Sequence, residues 1–469
     1  MRLPEPFVAR MREELGAEQG AALCAALDTA PPTSLRWNPA KTLPAERCGE
    51  PVPWSPEGRY LPSRPQFTLD SDLHAGAYYV QEASSQFLAH LLAEADIAGA
   101  RVLDLCAAPG GKSTLYASLV GGDGLVVANE INRQRASVLA DNVRRWGSGN
   151  TVVTLADPAA FGGFAGWFDV VGVDAPCSGE GMFRKLEQAR AEWSAQQVGL
   201  CARRQREIIR QAWPLLRPGG LLIYSTCTFN REENERTLED FAAEAGGELV
   251  AAAKVACPES WGVVCGEAGP FQTFRFYPHR ARGEGFFAAV ARKSFDAGGR
   301  VRTPRARRPL FGPVSRRDCA ELGRWLREPE RMRFAAVREN FYAYSAVQYE
   351  AVRTLAESLP VICSGVAMGQ LFKGTLRPEA ALALYEGMAR GVLPEASLDR
   401  EQIVAYLRKQ ELPCGLFAEG MNLVTARGRG LGFAKRIGGR VNNLYPNSMR
   451  ILMQEKNDLA GSHVRPDKR

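Results

Sequence analysis

The sequence predicts an α/β protein whose central domain holds a mostly parallel sheet, with a smaller domain on either side. Between about residues 78 and 293, short apolar runs alternate with segments of helical periodicity, which is typical of parallel strands joined by helices. A chain of 469 residues is too long for a single core and divides into about three domains. Near the C-terminus, glycine- and asparagine-rich turns separate short β-prone runs, which favours a small β module there.

The elements of the central domain follow from its apolar runs. The predicted strands are Arg101–Leu105, Leu125–Ala128, Thr151–Thr154, Asp169–Asp174 and Leu221–Ser225. Helices are predicted between them, including Asn132–Trp146 and Glu187–Leu216. Phe271–Tyr277 and Gly285–Arg292 leave too little chain between them for a helix, so we expect them to pair antiparallel at an edge of the sheet.

The flanking regions differ from the central domain in composition. The expected boundaries are 1–75 for a small N-terminal α/β accessory domain that binds RNA, 76–293 for the central domain, 294–355 for an Arg/Pro-rich linker with a helical segment, 356–456 for the β module and 457–469 for a polar tail. Helices are expected at Asp318–Met332 and Pro378–Ala389, and an amphipathic segment from Phe7 to Leu27. The arginines of the linker form either a solvated connector or a phosphate-contacting arm, and the sequence favours neither.

Composition argues against several classes of protein. No apolar run reaches the roughly 18–20 residues that cross a bilayer, and no signal-peptide pattern follows Met1. Eleven scattered cysteines form no C-x-x-C pair, and only four histidines are present, so we expect neither a disulfide framework nor a metal site. The sequence therefore predicts a cytoplasmic protein, and its net charge of +7 favours a polyanionic partner.

A turn at Cys106–Lys112 follows the first predicted strand and opens a helix, so it is a candidate ligand loop. Its residues are Cys106, Ala107, Ala108, Pro109, Gly110, Gly111 and Lys112. Small residues let a ligand approach the backbone, and a helix N-terminus offers free amide donors. Gly111-Lys112-Ser113 fits the end of a P-loop, but Cys106 stands where the first glycine belongs and Pro109 lies inside the loop.

Two acids at successive strand ends favour an adenosine-type cofactor over a nucleoside triphosphate. Glu130 follows the second strand, where an acid can bind ribose hydroxyls, and Asp157 follows the third, where it can meet an adenine amino group. The phosphate fingerprint G-x-G-x-x-G is absent, as expected for a cofactor without pyrophosphate. S-adenosyl-L-methionine fits best, which makes the central domain a Rossmann-like class I methyltransferase fold.

Two cysteines are expected to face the same crevice, because Cys177 follows the fourth strand and Cys227 the fifth. A thiolate that adds to C6 of a pyrimidine makes C5 nucleophilic enough to accept a methyl group. Asp174, at the end of the fourth strand, can protonate or hydrogen-bond N3 of that ring. The residues alone do not decide which thiol attacks.

Three segments carry a specific resemblance to a known family. Leu103–Lys112, Asp174–Arg184 and Ser225–Phe229 look like the motifs of the Nop/Sun family of RNA cytosine-C5 methyltransferases, and the Gly-Glu-Gly-Met-Phe-Arg extension most resembles its bacterial RsmF branch. Val80–Ser85 and Asn230–Glu235 match as well, and the segments Gly430–Lys435 and Asn442–Pro446 are similar to the PUA-type RNA-binding module of RsmF relatives.

The resemblance implies an activity and assigns roles to the residues that match. It implies methylation of cytosine in small-subunit ribosomal RNA, with Cys227 as nucleophile, Cys177 assisting release and Asp174 in the site. RNA is then the partner, in place of DNA or a membrane, and the protein is expected to be a monomer. The same chemistry on tRNA, a P-loop NTPase acting on RNA and a non-catalytic RNA-binding factor are the alternatives. A thiol hydrolase is remote because no histidine is expected in the crevice.

Overall fold

The N-terminal part of the chain forms helices and a small antiparallel sheet. The computed structural model describes residues 2–298, 301, 304 and 309–452. The N-terminal elements are α1 (Glu5–Leu15), α2 (Ala17–Leu27), β1 (Thr33–Trp37), β2 (Glu50–Val52), β3 (Ser55–Leu61), α3 (Ser71–His74) and β4 (Tyr78–Tyr79). Gly16, with φ of 82°, divides the predicted amphipathic segment into two helices. The strands pair in the order β2-β3-β1-β4, so β1 lies inside the sheet.

The central part alternates strands and helices as the sequence predicts. Its elements are α4 (Leu88–Leu91), β5 (Arg101–Asp104), α5 (Gly111–Val120), β6 (Leu125–Asn129), α6 (Arg133–Trp146), β7 (Thr151–Thr154), β8 (Phe168–Asp174), α7 (Glu187–Glu192), α8 (Ala195–Ala212), β9 (Leu216–Thr226), α9 (Glu235–Ala245), β10 (Leu249–Val250), β11 (Val264–Ala268), β12 (Phe271–Phe276) and β13 (Phe286–Lys293). The predicted strands are confirmed, with ends that differ by a few residues.

The central sheet is mixed around a parallel core. The parallel strands run in the order β7-β6-β5-β8-β9, so the direction of strand order reverses between β5 and β8. Ligands of open α/β sheets bind outside the carboxyl ends of the strands at such a reversal. On the β9 side, β13, β12 and β11 extend the sheet antiparallel, which confirms the predicted edge pairing of β12 with β13.

Alternate residues of the parallel strands pack on opposite faces of the sheet. Val102, Val126 and Val170 belong to one buried cluster, and their neighbours Leu103, Val127 and Val171 belong to another. Both faces of the sheet are therefore covered by apolar side chains, which is why the strands read as continuous hydrophobic runs in the sequence.

The C-terminal part forms two small sheets. Its elements are α10 (Arg316–Gly323), β14 (Met332–Val337), β15 (Asn340–Ser345), α11 (Tyr349–Ser358), β16 (Val361–Ser364), β17 (Val366–Phe372), β18 (Thr375–Pro378), α12 (Ala380–Leu384), β19 (Glu395–Ser397), α13 (Arg400–Leu407), β20 (Gly420–Ala426), β21 (Arg429–Ile437) and β22 (Arg440–Asn443). The sheets have the orders β14-β15-β17-β18 and β19-β20-β21-β22. The first sheet crosses the predicted domain boundary at residue 355, because β14 and β15 precede that residue and β17 and β18 follow it. β16 belongs to neither small sheet and pairs antiparallel with β7 at the edge of the central sheet.

Three predicted helices differ from the structure. Glu187–Leu216 is broken between α7 and α8, where the side chain of Ser194 caps α8 by accepting from the amide of Gln197. The helix expected at Asp318–Met332 begins earlier and ends at Gly323, because Pro329 starts a separate turn before β14. The helix expected at Pro378–Ala389 is only the short α12, since Pro378 still belongs to β18.

Part of the arginine-rich linker lies outside the described residues. Arg300, Arg302, Arg305, Arg307 and Arg308 are in that group, as is the predicted tail, whereas Arg316 and Arg317 begin α10. Among the described helices, none combines the length and the apolar character that a membrane span requires.

Candidate active site

The predicted ligand loop lies at the strand-order reversal of the central sheet. β5 ends at Asp104, and α5 begins at Gly111 after a turn in which Gly110 has φ of 112°. A side chain at Gly110 would be strained by that backbone and would lie 3.0 Å from Leu139 Cδ1. The turn therefore requires glycine at this position and holds the backbone at the mouth of the crevice.

Two cavities flank this loop and bring the predicted site residues together. A cavity of about 360 Å³ is lined by Cys106, Ala108, Glu130, Asp157, Asp174, Cys177 and Cys227. A smaller one of about 180 Å³ is lined by Cys106, Ala107, Ala108, Pro109, Gly111, Lys112 and Asp174. Every predicted site residue except Gly110, which forms the turn, contributes to one of these cavities.

The two acids expected to hold the adenosine group border the larger cavity. Glu130 is buried; its Oε1 accepts from the amide of Asn132 at 2.9 Å, and its Oε2 lies 3.2 Å from Arg135 Nη1. Asp157 is exposed, and its Oδ1 accepts from the amide of Ala159 at 2.9 Å. Asp157 thus also caps a short 3-10 helix, a structural role that its position in the sequence did not reveal.

The two thiols are in contact. Cys177 Sγ lies 3.2 Å from Cys227 Sγ, and both residues line the larger cavity. The contact with Cys227, followed by burial, raises the pKa of Cys177 well above its ordinary value. Cys177 is therefore held as a neutral thiol that can donate a hydrogen bond to the sulfur of Cys227.

Asp174 is fixed between two donors beside the thiols. Lys112 Nζ lies 2.7 Å from its Oδ2, and Ser225 Oγ donates to its Oδ1 at 2.7 Å. Burial acts to lower the pKa of Lys112, but the charge and hydrogen bond of Asp174, together with the charge of Asp104, outweigh it, and the pKa of this lysine is raised. Lys112 is thus a cation that faces the carboxylate.

A buried polar network beneath the thiols fixes the segment that carries Cys227. Glu180 accepts through Oε2 from the amides of Phe229 and Asn230 at 3.0 and 3.1 Å, and its Oε1 pairs with Arg10. Glu233 accepts from the amide of Ser178 at 2.9 Å, which ties the Cys177 segment to the same network. Sequence reasoning assigned no role to these acids, although both lie in the segments that carry the family resemblance.

The side chains present fit S-adenosylmethionine. The loop offers helix-start amides for a carboxylate, and Glu130 and Asp157 offer acceptors for ribose and adenine. Buried Asp104, whose Oδ2 accepts from Ser113 Oγ at 2.7 Å, braces the start of α5 beneath the loop. Within the described residues, no group of three or more His, Cys, Asp or Glu side chains is arranged to hold a metal.

Comparisons with known proteins agree with this geometry. The family model "16S rRNA methyltransferase RsmB/F" matches residues 91–292, the N-terminal domain of RsmF matches 3–83, and the RsmF PUA domain matches 394–451. Ribosomal RNA small subunit methyltransferase F of Vibrio cholerae serotype O1 (strain M66-2) is 30% identical over 97% of this chain and 98% of its own length. The protein of the same name from Pectobacterium atrosepticum is 30% identical over 85% of this chain and 84% of its own.

Solved structures share the fold of the central domain. The crystal structure of PH0851 covers 62% of this chain and 66% of its own, with a TM-score of 0.54 and 26% identity. NSun6 from Pyrococcus horikoshii, solved with SFG, covers 62% of this chain and 98% of its own, with a TM-score of 0.52 and 19% identity.

The mixed sheet, the loop at its strand-order reversal and the acids beside it define a methyltransferase that uses S-adenosylmethionine. Within this class, the chain belongs to the RsmF family. The resemblance seen in the motifs is thereby confirmed, and so are the cofactor and the PUA domain. The P-loop NTPase alternative is wrong.

Proposed function

We propose that this enzyme methylates C5 of a cytosine in 16S ribosomal RNA through a covalent adduct between Cys227 and C6. The observation that carries the proposal is the contact of the two thiols, 3.2 Å apart, beside Asp174 on the same cavity as the cofactor loop. Two paired thiols at neighbouring strand ends serve a reaction that must both form and release a thioether. RNA as the substrate is supported by the names of the matching families and relatives.

The first step is the attack of the Cys227 thiolate on C6 of a cytosine turned out of its stack into the crevice. As the C6–Sγ bond forms, electrons move towards N3, which takes up a proton through Asp174. The Asp174 carboxylate receives this proton from Lys112, whose Nζ lies 2.7 Å from it, and passes it on to N3. S-adenosylmethionine, when bound, supplies the electrophilic methyl group that C5 then takes up.

The second step restores the aromatic ring. The C5 proton passes to water in the crevice, the C5–C6 double bond re-forms, and the C6–Sγ bond breaks so that Cys227 leaves as a thiolate. N3 returns its proton to Asp174. The thiol of Cys177 lies within hydrogen-bonding distance of that departing sulfur. A protonated Cys177 at this distance stabilises the leaving sulfur by donating a hydrogen bond to it, which supports the role in release that the family resemblance implies for Cys177. The assignment of Cys227 as nucleophile comes from the same resemblance.

A basic groove in the C-terminal part supports RNA as the partner. A cavity of about 1100 Å³ between the two small sheets and α6 is lined by Arg144, Lys373, Arg377, Lys435 and the half-exposed ring of Phe372, with Asp141 and Glu379 as its acids. The guanidinium of Arg377 lies 4.0 Å from the centre of that ring. Positive side chains with an exposed aromatic ring are the combination that binds a phosphate backbone and stacks a base. We propose that the enzyme acts as a cytoplasmic monomer; tRNA is the alternative substrate.

The thiols provide the decisive experiment. Cys227→Ala is expected to abolish methyl transfer from labelled S-adenosylmethionine to ribosomal RNA. Cys177→Ala is expected to leave a stalled protein–RNA adduct, visible as a slower band on a denaturing gel. Cys363→Ala, a half-buried cysteine on β16, is the matched control and should behave as the unmodified enzyme does.

The outcomes separate the alternatives. An adduct with Cys227→Ala and none with Cys177→Ala would invert the two roles, and normal turnover by both variants would refute the covalent mechanism. Bisulfite sequencing of 16S rRNA and tRNA from a deletion strain decides the substrate. If the deletion makes a cytosine of tRNA convertible by bisulfite and leaves 16S rRNA unchanged, the assignment of ribosomal RNA as substrate is overturned.

A further inference from the structure

The cofactor loop is held by side chains that bind its carbonyl oxygens one after another. Arg135 Nη2 donates to the carbonyl of Ala108 at 2.9 Å, and Asn142 Nδ2 donates to that of Pro109 at 2.8 Å. The next two carbonyls, of Gly110 and Gly111, accept from Thr114 Oγ1 at 2.9 and 3.1 Å. Side chains of both α5 and α6 therefore hold this loop by hydrogen bonds.

These contacts determine which way the loop amides point. In a trans peptide, the N–H of one residue lies opposite the C=O of the residue before it. Because these carbonyls are held by side chains, the amides of Gly110, Gly111 and Lys112 are turned in the opposite direction. Gly111 and Lys112 line the smaller cavity. Free amides at the start of a helix are what a carboxylate group of a cofactor needs.

The N-terminal sheet supplies some of the side chains that hold the loop. Arg36, on β1, is only 2% exposed; its Nη2 donates to Thr114 Oγ1 at 2.7 Å and to the carbonyl of Gly111 at 3.1 Å. Its Nε donates to Gln81 Oε1 at 2.7 Å, and its guanidinium lies 4.4 Å from the ring of Trp146 at the end of α6. Tyr79, on β4 of the same sheet, donates to the carbonyl of Pro109 at 3.2 Å.

We propose that Arg36 is a positioning residue for S-adenosylmethionine, through which the N-terminal sheet holds the cofactor loop in its binding conformation. The side chain touches neither cavity; it acts through Thr114 and the carbonyl of Gly111. The N-terminal domain is then part of the cofactor site as well as an accessory domain. The proposal rests on the use of S-adenosylmethionine and does not depend on the cytosine chemistry.

The test measures cofactor binding without RNA. For Arg36→Met, which keeps a long apolar side chain against Trp146 but loses the donors, calorimetry should show S-adenosylmethionine binding weakened by about tenfold to a hundredfold, the usual range for charged hydrogen bonds. Arg36→Lys should recover part of the affinity, and Tyr79→Phe should lose about threefold, as expected for one neutral hydrogen bond. At saturating cofactor, kcat should stay within about threefold while KM for the cofactor rises.

Arg59→Met is the matched control. Arg59 lies on β3, opposite Leu35 of β1, and donates to the carbonyls of Pro56 and Gly58 in its own turn. Its replacement should leave cofactor affinity unchanged. Equal losses in the Arg36 and Arg59 variants, or unchanged affinity in folded Arg36→Met, would overturn the proposal. If Arg36→Met fails to fold, unchanged affinity in both Arg36→Lys and Tyr79→Phe would overturn it instead.

Discussion

The crevice and the polar network beneath it use similar side chains in opposite ways. In the crevice, Asp174, Cys177 and Cys227 border open cavities and keep positions free for a ligand. In the network, Glu180 is completely buried, and both of its oxygens accept from donors of the protein. A buried carboxylate is costly unless it is paired, so the network is stable only in the arrangement of the chain that pairs Glu180. The groups of the crevice, which border open cavities, remain available to a ligand. Changes in the two regions should therefore be separable as losses of activity and losses of stability.

Of the substitutions that compare these two regions, Asp174→Asn is expected to have the largest effect, and it alters the crevice alone. The amide keeps a partner for Ser225 but cannot pair as an anion with Lys112 or pass a proton to N3. Methyl transfer should fall by about 10² to 10⁴-fold, the range for loss of general acid–base catalysis. Single-turnover kinetics with ribosomal RNA measures this, and thermal unfolding checks that the midpoint changes little. A loss below tenfold would remove Asp174 from the chemistry.

The next effect is expected from Glu180→Gln, which alters the network. The substitution removes the anion of Glu180 from Arg10, which keeps only the longer contact with Glu14 at 3.8 Å, and position 180 can no longer accept through two oxygens. Removing one partner of a buried ion pair typically costs about 3–5 kcal/mol of unfolding free energy. Urea denaturation should show this, whereas Glu239→Gln, at an exposed position on α9, should change stability by less than about 0.5 kcal/mol. If both variants are equally stable, the network is not what holds the Cys227 segment.

The smallest effect is a pH dependence of stability at Asp104, which lies beneath the cofactor loop. Burial raises the pKa of Asp104 to about 7 from an ordinary value of 3.8, while the hydrogen bond from Ser113 acts in the opposite direction. Since the folded state binds this proton more tightly, Asp104 contributes stability that is fully present below about pH 4 and is lost as the pH rises through 7.

The comparison of wild-type protein with Asp104→Asn isolates this contribution. The asparagine cannot titrate, so the stability of the wild-type protein relative to the variant should decline as the pH rises from 5 to 8. Urea denaturation at several pH values between these limits measures the difference. A constant difference across that range would show that Asp104 does not change its protonation on folding.

The residues that line the crevice could be predicted from the sequence better than the residues that hold them in place. Strand ends have regular positions in a parallel sheet, so Cys177 and Cys227 could be expected to meet from their places after β8 and β9. Arg36 and Glu180 could not be found in this way, because their partners are far away in the sequence and depend on how α1, β1 and α5 pack. Helix ends were misjudged where a local feature interrupts the periodicity, as Ser194 does between α7 and α8. The pairing of β16 with β7 carries no local signal at all.

That pairing has a consequence for synthesis on the ribosome. β7 ends at Thr154, but the strand that covers its outer edge begins at Val361. The nascent chain therefore emerges with an unpaired edge of buried β-branched residues, and that edge stays open until much of the C-terminal part has been made. The pairing of β16 with β7 joins segments that are far apart in the sequence, and such pairing forms more slowly than pairing between neighbouring segments. The final assembly of the catalytic sheet therefore depends on residues that contribute nothing to its chemistry.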